Sequence, residues 1–178
     1  MITEKNKKIP NKAVFFDRDG VLNKLVNNTR PPWDLSEIEI FNESKKIVKL
    51  VKKLNYLVII VTNQPDAERG DVSLNCIYEV NNFIAEQLNI QYKYICIHPY
   101  DGMCNCRKPK PGMLFDASND LGINLSKSFL IGDREKDIKA GKSAGCKTIY
   151  LSNTNFSISD YWAKNHYELF AMLEKILI

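Results

Sequence analysis

Two aspartates, Asp17 and Asp19, stand two positions apart directly after an apolar segment, and Gly20 follows them. Residues two apart in extended chain point to the same side, so we expect both carboxylates to face one site. Carboxylates in one crevice repel each other unless a cation lies between them or one of them holds a proton. A third aspartate, Asp133, also closes an apolar segment. Three carboxylates around one point suit Mg²⁺, a hard ion that prefers oxygen ligands.

Polar and cationic side chains follow two further apolar segments. Thr62 and Asn63 close one of them, and Arg107 and Lys108 come after another. A threonine hydroxyl can donate a hydrogen bond, and a lysine supplies a point positive charge. Oxyanion donors beside a divalent cation are what a phosphoryl group needs, because that chemistry depends on positioning and charge stabilisation. Asp137 lies one helical turn after Asp133, and either a metal-supporting role or a helix N-terminal role fits it.

Four potential metal ligands fall within eleven positions: Cys96, His98, Cys104 and Cys106. An extended segment places both ends of a C-x-H or C-x-C triplet on one side of the chain. Four nitrogen and sulfur ligands close a tetrahedral zinc site with no open position, which is typical of structural zinc. We therefore predict a zinc-stapled loop immediately before Arg107, where it would brace the segment that presents both cations.

Apolar periodicity predicts strands that alternate with helices. The predicted strands cover residues 12–17, 56–62, 92–98, 128–132, 147–151 and 160–163. The predicted helices cover residues 43–54, 73–88, 111–121, 135–144 and 167–177, with Ser73 as an N-cap and Gly122 and Gly145 as helix ends. This order predicts an α/β fold, a doubly wound and mainly parallel sheet with helices on both faces. Ligands of such sheets bind outside the carboxyl ends of the strands, where the polar residues above are expected to meet.

The chain has 178 residues, which predicts a single domain over residues 1–178. About twenty residues separate Asn23 from the first helix, too few for a separate cap domain. The formal net charge is +4 with no basic stripe, so we expect no nucleic-acid partner. No apolar run approaches the roughly 20 residues of a membrane span and no secretory signal is visible, so we expect no membrane partner and a cytoplasmic location. We expect a monomer, with a homodimer as the alternative, and we interpret Cys76 and Cys146 as core residues.

Four segments resemble the ordered motifs of the haloacid dehalogenase (HAD) superfamily of phosphatases, across roughly residues 12–151. They are FDRDGVLN (16–23), VTNQ (61–64), RKPKPGM (107–113) and IGDREKD (131–137). The resemblance implies a Rossmann-like fold and an aspartyl-phosphate mechanism. It implies that Asp17 is the nucleophile and that Asp19 is the general acid and base. It also implies that Thr62 and Lys108 hold the phosphoryl oxygens, and that Mg²⁺ binds the Asp17 carboxylate, the Asp19 backbone carbonyl and Asp133.

The C-x-H and C-x-C loop resembles two subgroups of that superfamily, the histidinol-phosphate phosphatases and the D-glycero-D-manno-heptose 1,7-bisphosphate 7-phosphatases. The segments around Asn63, Arg69 and Arg107 are more similar to the heptose enzymes, which implies a phosphorylated sugar substrate that these three residues bind. Neighbouring side chains in an extended segment point different ways, so Arg107 is expected to face a second anionic group while Lys108 faces Asp17. Residues 65–68 and 27–34 depart from the heptose pattern.

Two other classes of function remain as alternatives. A phospho-receiver domain also has an acidic pocket with a threonine and a lysine, but its phosphoacceptor lies on a middle strand and it needs no zinc loop. A zinc-dependent nucleic-acid module would require a basic aromatic face, whereas the aromatic residues here fall mostly at core spacing. The favoured interpretation is a Mg²⁺-dependent phosphatase with a structural zinc, and histidinol phosphate is the alternative substrate to heptose bisphosphate.

Overall fold

The computed structural model describes residues 10–100, 103–155 and 158–178. Within these residues the chain forms six strands and five α-helices, which alternate except that the last two strands follow each other directly. The strands are β1 (Ala13–Phe16), β2 (Leu57–Asn63), β3 (Tyr92–Cys96), β4 (Phe129–Gly132), β5 (Lys147–Leu151) and β6 (Tyr161–Ala163). The helices are α1 (Asn42–Lys53), α2 (Leu74–Gln87), α3 (Gly112–Leu121), α4 (Glu135–Ala144) and α5 (His166–Ile176). The predicted order of elements is confirmed, and the boundaries differ from the predicted ones by at most two residues.

All six strands form one parallel sheet in the order β3-β2-β1-β4-β5-β6. Strand β1 therefore lies inside the sheet, with β2 on one side and β4 on the other. The strand order reverses at this point, which is where doubly wound sheets open a crevice at their carboxyl edge. The predicted doubly wound, Rossmann-like α/β fold is confirmed.

Two apolar clusters cover the two faces of the sheet. Val14 and Phe16 belong to one cluster with α1, α2 and α5, whereas Ala13 and Phe15 belong to the other with α3 and α4. All four residues are at most 1% exposed, and burial of one phenylalanine side chain is worth about 1.5–3 kcal/mol. The core therefore holds β1 rigidly on both faces, up to the residue that precedes Asp17.

The residues predicted to cap the helices lie at the helix ends in the structure. The Ser73 side chain accepts a hydrogen bond from the Cys76 backbone N–H at the start of α2. Gly122 and Gly145 end α3 and α4 with φ values of +65° and +81°, in the left-handed region that favours glycine. One interpretation is wrong, because Cys76 is only half-buried, whereas Cys146 is buried as expected. Cys76 lies one position before Ile77, about 100° around the helix from the buried stripe.

The connections above the carboxyl edge are short and irregular. Between β1 and α1 the chain forms one 3-10 turn, Leu35–Glu37, and three isolated β-bridges. Between β2 and α2 no strand or helix forms. No cap domain therefore lies between these elements in the described part of the chain. Among the residues that the structure describes, no helix has both the length and the apolar character that crossing a membrane requires.

Candidate active site

Asp17 is the first residue after β1 and is tied to the neighbouring strand. Its backbone N–H donates to the Ile131 carbonyl of β4 at 2.9 Å. Its carboxylate accepts a hydrogen bond from the Arg18 N–H at 2.8 Å and lies 2.9 Å from Lys108 Nζ. Burial by itself raises the pKa of Asp17, but the charges of Lys108 and Lys136 outweigh it and hold the pKa below its ordinary value. The side chain is therefore a fixed, ionised carboxylate.

Lys108 joins two aspartates from different elements. Its ammonium lies 2.9 Å from Asp17 Oδ1 and 2.7 Å from Asp137 Oδ1, and it donates to the Val61 carbonyl at 2.8 Å. The side chain is fully buried. Burial by itself lowers the pKa of Lys108, but the charges of Asp137 and Asp17 raise it above its ordinary value. The lysine therefore stays cationic inside the protein.

Asn63 holds the backbone of Lys108. Its side-chain Nδ2 donates to the Lys108 carbonyl at 3.0 Å, and its Oδ1 accepts from the Lys108 N–H at 3.1 Å. The predicted substrate contact of Asn63 stays a prediction. In this structure both ends of the amide hold the segment that carries the buried lysine.

Three carboxylates converge, but they are Asp17, Asp133 and Asp137, with one oxygen of each within 4.8 Å of the others. Burial, together with the charges of Asp17 and Asp137, raises the pKa of Asp133 to about 7. A cation would relieve this repulsion, and three carboxylate oxygens are the donor set that Mg²⁺ prefers. A Cβ on Gly20 would lie 2.2 Å from Asp133 Oδ2. Only glycine therefore lets the β1 loop approach the cluster this closely.

Asp19 is not part of this cluster, contrary to the expectation that its carboxylate would face the same point as Asp17. Strand β1 ends at Phe16, so the two-residue alternation of extended chain no longer applies beyond it. Instead the Asp19 carboxylate accepts hydrogen bonds from other side chains: Arg18 at 2.9–3.1 Å, Asn23 at 3.0 Å and Gln64 at 2.7 Å. The third carboxylate comes from Asp137 on the first turn of α4.

Thr62 lies at the carboxyl end of β2, and its side chain is buried beside the carboxylates. Its hydroxyl oxygen accepts a hydrogen bond from Gln64 Nε2 at 2.9 Å. The hydroxyl hydrogen is therefore left to donate. Gln64 also donates to Asp19, so one amide positions both Thr62 and Asp19.

The Cys96, His98, Cys104 and Cys106 ligand atoms all lie within 4.8 Å of one another. The Cys96 Sγ to Cys104 Sγ distance is 3.8 Å, and the His98 Nδ1 atom lies 3.2 Å from Cys106 Sγ. Ligands about 2.3 Å from a central zinc stand about 3.8 Å apart at the corners of a tetrahedron. Burial and the neighbouring thiols raise the pKa of Cys106 to about 12. The predicted four ligands meet, and a divalent cation would stabilise the thiolate forms of the three cysteines.

The cysteine cluster is built onto the segment that presents the two cations. Arg107 Nη1 donates to the His98 carbonyl at 3.1 Å, and Lys110 Nζ donates to the Cys104 carbonyl at 2.6 Å. A Cβ on Gly112 would lie 2.3 Å from the Asn105 carbonyl oxygen. The glycine thus permits the close contact between this turn and the start of α3.

A cavity of about 250 Å³ opens above Asp17 and Thr62. Five cationic side chains line it: Arg30, Arg69, Arg107, Arg134 and Lys136. Among the described residues, no carboxylate lies within 4 Å of the Arg107 or Lys136 charged groups. A second cavity of about 360 Å³ shares Arg107, Arg134 and Lys136 with the first. The two adjoining cavities suit a ligand with more than one anionic group.

Four further lining residues of the first cavity are joined by direct contacts, and we call them the outer wall: Arg30, Trp33, Asp66 and Arg69. We call Asp17, Lys108, Asp133 and Asp137 the inner cluster. The Arg30 guanidinium stacks over the Trp33 ring, 4.1 Å from its centroid, and the Trp33 indole N–H donates to Asp66 at 2.7 Å. Asp66 also accepts from Arg69 at 2.5 Å. The predicted substrate residue Arg69 therefore lines the cavity, held by Asp66 and also by Asp71, which accepts from Arg69 Nε at 2.9 Å.

Several site residues were not anticipated. Arg18 and Gln64 are buried against Asp19, Lys136 lines the cavity near Asp17, and Trp33 and Asp66 build the outer wall. The position of Arg18 between two predicted site aspartates was an available signal, as was the position of Gln64 two residues after Thr62. No signal in the sequence pairs Trp33 with Asp66.

Comparisons with known proteins give one consistent result. The HAD-hydrolase-like family model matches residues 105–168. A D-glycero-beta-D-manno-heptose-1,7-bisphosphate 7-phosphatase of Helicobacter pylori strain J99 is 34% identical over 154 residues, which cover 82% of this chain and 85% of that protein. A D-glycero-alpha-D-manno-heptose-1,7-bisphosphate 7-phosphatase of Burkholderia mallei is 37% identical over 156 residues, 79% of each chain.

Solved structures agree with the fold. A HAD-like phosphatase from Mesorhizobium loti superposes with a TM-score of 0.79 at 26% identity, over 92% of this chain and 84% of that one. A D,D-heptose 1,7-bisphosphate phosphatase from B. bronchiseptica, complexed with magnesium and phosphate, also gives a TM-score of 0.79. It is 21% identical and covers 92% of this chain and 98% of its own.

Proposed function

We infer the function of this chain from its family, because it belongs to the HAD-like hydrolases that include the D-glycero-D-manno-heptose-1,7-bisphosphate 7-phosphatases. We propose that it is a phosphoric monoester hydrolase that removes the 7-phosphate from D-glycero-D-manno-heptose 1,7-bisphosphate. The products are inorganic phosphate and heptose 1-phosphate. The relatives include enzymes named for the alpha and for the beta anomer, so either anomer is a candidate substrate.

One observation carries this proposal: the ionised Asp17 carboxylate lines a cavity whose other charged lining residues are mostly cations. An aspartate inside a cationic cavity can attack a bound phosphate ester, because the cations offset the repulsion between the two anions. Lys108 neutralises part of the charge of Asp17 without occupying the cavity. The arrangement favours phosphoryl transfer over simple anion binding.

In the first step an Asp17 carboxylate oxygen attacks phosphorus, and the bond between phosphorus and the ester oxygen breaks. Asp19 gives its proton to that leaving oxygen, so the sugar departs as an alcohol. Thr62 donates its hydroxyl hydrogen to a phosphoryl oxygen, and Lys108 adds positive charge beside it. The result is a phosphate group carried on Asp17.

In the second step a water molecule attacks phosphorus of the aspartyl phosphate. Asp19 takes a proton from this water, and the bond between phosphorus and the Asp17 oxygen breaks. Asp17 is restored as a carboxylate, Asp19 is again protonated, and inorganic phosphate leaves. Gln64, which contacts both Thr62 and Asp19, keeps the donor and the proton carrier in register through both steps.

Two carboxylates of the inner cluster fit a catalytic Mg²⁺. Asp17 and Asp133 would hold the ion together with the Asp19 backbone carbonyl, which lies outside the cluster, since all three supply the oxygen ligands that Mg²⁺ prefers. When bound, Mg²⁺ reduces the repulsion between the Asp17 carboxylate and the incoming phosphate ester. Asp137 has a different role, because it is buried against Lys108 and fixes the position of that ammonium.

A structural Zn²⁺ would be held by Cys96, His98, Cys104 and Cys106. Its contribution is to hold the turn that leads into Arg107 and Lys108. Metal analysis tests this, because protein prepared without chelators should contain about one zinc per molecule and the Cys104→Ser variant should contain much less. Zinc-free wild-type protein with full activity would contradict the assignment.

Phosphate release from a panel of phosphorylated compounds tests the proposed activity. The panel contains both anomers of heptose 1,7-bisphosphate, heptose 1-phosphate and histidinol phosphate, with the Asp17→Asn variant as a control for contaminating phosphatases. We expect the highest kcat/KM for a heptose 1,7-bisphosphate. A clear preference for histidinol phosphate would overturn the substrate assignment, and activity that persists in Asp17→Asn would overturn the mechanism.

A further inference from the structure

The two segments that depart from the heptose pattern, residues 27–34 and 65–68, meet each other on the outer wall. The Trp33 indole N–H donates to Asp66 Oδ2 at 2.7 Å, across 33 positions of sequence. Trp33 and Asp66 line the same cavity as Asp17. The unusual residues therefore form one structural unit beside the reaction site.

Asp66 is nearly buried, at 3% exposed, and both of its carboxylate oxygens are used. Oδ2 accepts from Trp33, and Oδ1 accepts from Arg69 Nη2 at 2.5 Å. A buried carboxylate is costly unless it is paired and hydrogen-bonded. Movement of either partner away from Asp66 is therefore unfavourable, and Asp66 shares with Asp71 the task of holding the exposed Arg69 side chain.

Trp33 is held by three contacts from three different residues. Arg30 stacks over its ring, Glu37 accepts from its backbone N–H at 2.8 Å, and Asp66 accepts from its indole N–H. Glu37 also pairs with the Arg30 guanidinium, which fixes the stacking partner itself. The ring is thus ordered before any ligand arrives, and a ligand that packs on it loses little binding energy to ordering.

The chemistry of the outer wall fits the part of the substrate that is not transferred. An indole surface suits the C–H face of a sugar ring, and guanidinium groups suit hydroxyl and phosphate oxygens. The transferred phosphoryl group needs none of these, because Asp17, Thr62 and Lys108 already serve it. We propose that Trp33 is a specificity-determining residue that contacts the sugar, and that Asp66 is a positioning residue that acts through Trp33 and Arg69. This inference rests on the proposed sugar phosphatase activity.

Substrate selectivity provides the first test. Trp33→Phe keeps an aromatic ring but removes the N–H, and Asp66→Asn keeps the shape but removes the charge. Steady-state kinetics would compare heptose 1,7-bisphosphate with acetyl phosphate, which has no sugar. In both variants we expect KM for the bisphosphate to rise, and kcat/KM to fall at least about fivefold more for the bisphosphate than for acetyl phosphate. Equal losses on both compounds, or no loss on either, would overturn the proposal.

Fluorescence provides a test that does not depend on turnover. The chain has two tryptophans, so Trp162→Phe leaves Trp33 as the single reporter, and Asp17→Asn blocks hydrolysis. Adding the bisphosphate should change the Trp33 emission, whereas inorganic phosphate should not. As a matched control, Trp33→Phe leaves Trp162, which donates to the Ser152 carbonyl and does not line the cavity. The emission of Trp162 should stay constant when the bisphosphate is added. An unchanged Trp33 signal at saturating bisphosphate would contradict the proposed contact between Trp33 and the sugar.

These tests separate this inference from the proposed function. If the panel identifies another phosphorylated compound as the best substrate, the heptose assignment fails. The same selectivity and fluorescence measurements, made with that compound, then still decide whether Trp33 contacts the part that is not transferred.

Discussion

The inner cluster and the outer wall both consist of charged side chains around one cavity, but they are built differently. In the inner cluster Asp17 and Asp133 directly follow strands, Lys108 is fully buried, and its ion pairs span 2.7–2.9 Å. In the outer wall the residues come from loops, and the Arg69 side chain is 55% exposed. The sheet determines the inner geometry, whereas the wall depends on contacts between two loops.

This difference separates two parts of the proposed reaction. A phosphoryl group is the same in every substrate, so its contacts can be built into the end of a rigid sheet. The rest of the substrate varies, and loops can change residue type at little expense to the core. Substitutions in the inner cluster are therefore expected to affect all substrates strongly, and those in the outer wall to change selectivity.

Asp17→Asn should give the largest effect. The substitution removes both the nucleophilic charge and a Mg²⁺ ligand, so phosphate release should fall by at least about 1000-fold for every substrate. Circular dichroism should show an intact fold. Asp116→Asn on the exposed side of α3 is a matched control with expected wild-type activity. A variant at position 17 that keeps a tenth of the activity would show that another group is the nucleophile.

Lys108→Met should cost about 3–5 kcal/mol of unfolding free energy, because it leaves Asp17 and Asp137 buried without their shared cation. Arg69→Met removes a guanidinium whose side chain is 55% exposed, and buried Asp66 keeps its hydrogen bond from Trp33, so we expect a smaller loss of about 1–2 kcal/mol. Urea denaturation of the two variants measures the contrast directly. Equal losses of stability would contradict the distinction between the two regions.

Arg107→Ala tests the boundary between the regions, because Arg107 comes from the segment of Lys108 but faces the cavity. Loss of a charged contact worth roughly 1.5–3 kcal/mol corresponds to about a 10- to 150-fold lower kcat/KM. We expect this loss for the bisphosphate and a smaller one for monophosphates. If all substrates lose equally, Arg107 does not bind the second phosphate.

The smallest effect is expected at Glu37, which supports the outer wall. Hydrogen bonds from Arg30 and from the Trp33 N–H lower the pKa of Glu37 from its ordinary 4.5 to about 2. A lowered pKa stabilises the fold above the ordinary value, and this contribution declines as the pH falls from about 4.5 toward 2. The free energy of unfolding of the wild type should therefore exceed that of the Glu37→Gln variant by less than about 1 kcal/mol at pH 6. At pH 3 the difference should be smaller still. Urea denaturation at both pH values measures this difference. A larger difference at pH 3 than at pH 6 would contradict the lowered pKa of Glu37.

The strands and the residues that end them could be predicted from the sequence because both signals are local. Apolar, β-branched runs predict buried strands, and parallel strands place their carboxyl ends at one edge. These two signals were sufficient to predict that Asp17, Thr62, Lys108 and Asp133 lie at one site. The convergence of Cys96, His98, Cys104 and Cys106 was also predictable, because they lie close together along the chain.

The remaining parts of the site depend on loop conformation, which spacing does not encode. The prediction for Asp19 assumed the side-chain alternation of a strand and was wrong, because β1 ends before this residue. Asp137 supplies the third carboxylate of the cluster instead. The contact between Trp33 and Asp66 joins loops that follow different strands, so no local pattern predicts it. The Cys76 interpretation failed for a simpler reason, since apolar surroundings in sequence did not place it on the buried helix stripe.

The interior position of β1 has a consequence for the nascent chain. Strand β1 pairs with β2, which lies about 44 positions later in the sequence. Its other neighbour is β4, where Phe129, the partner of Val14, lies 115 positions later. During synthesis, β1 therefore has an unpaired edge until β4 has emerged from the ribosome, and such an edge promotes association with other chains. Asp133 emerges only after that strand, so the catalytic centre is assembled late. Translational pausing within residues 97–128 would prolong the exposure of that edge.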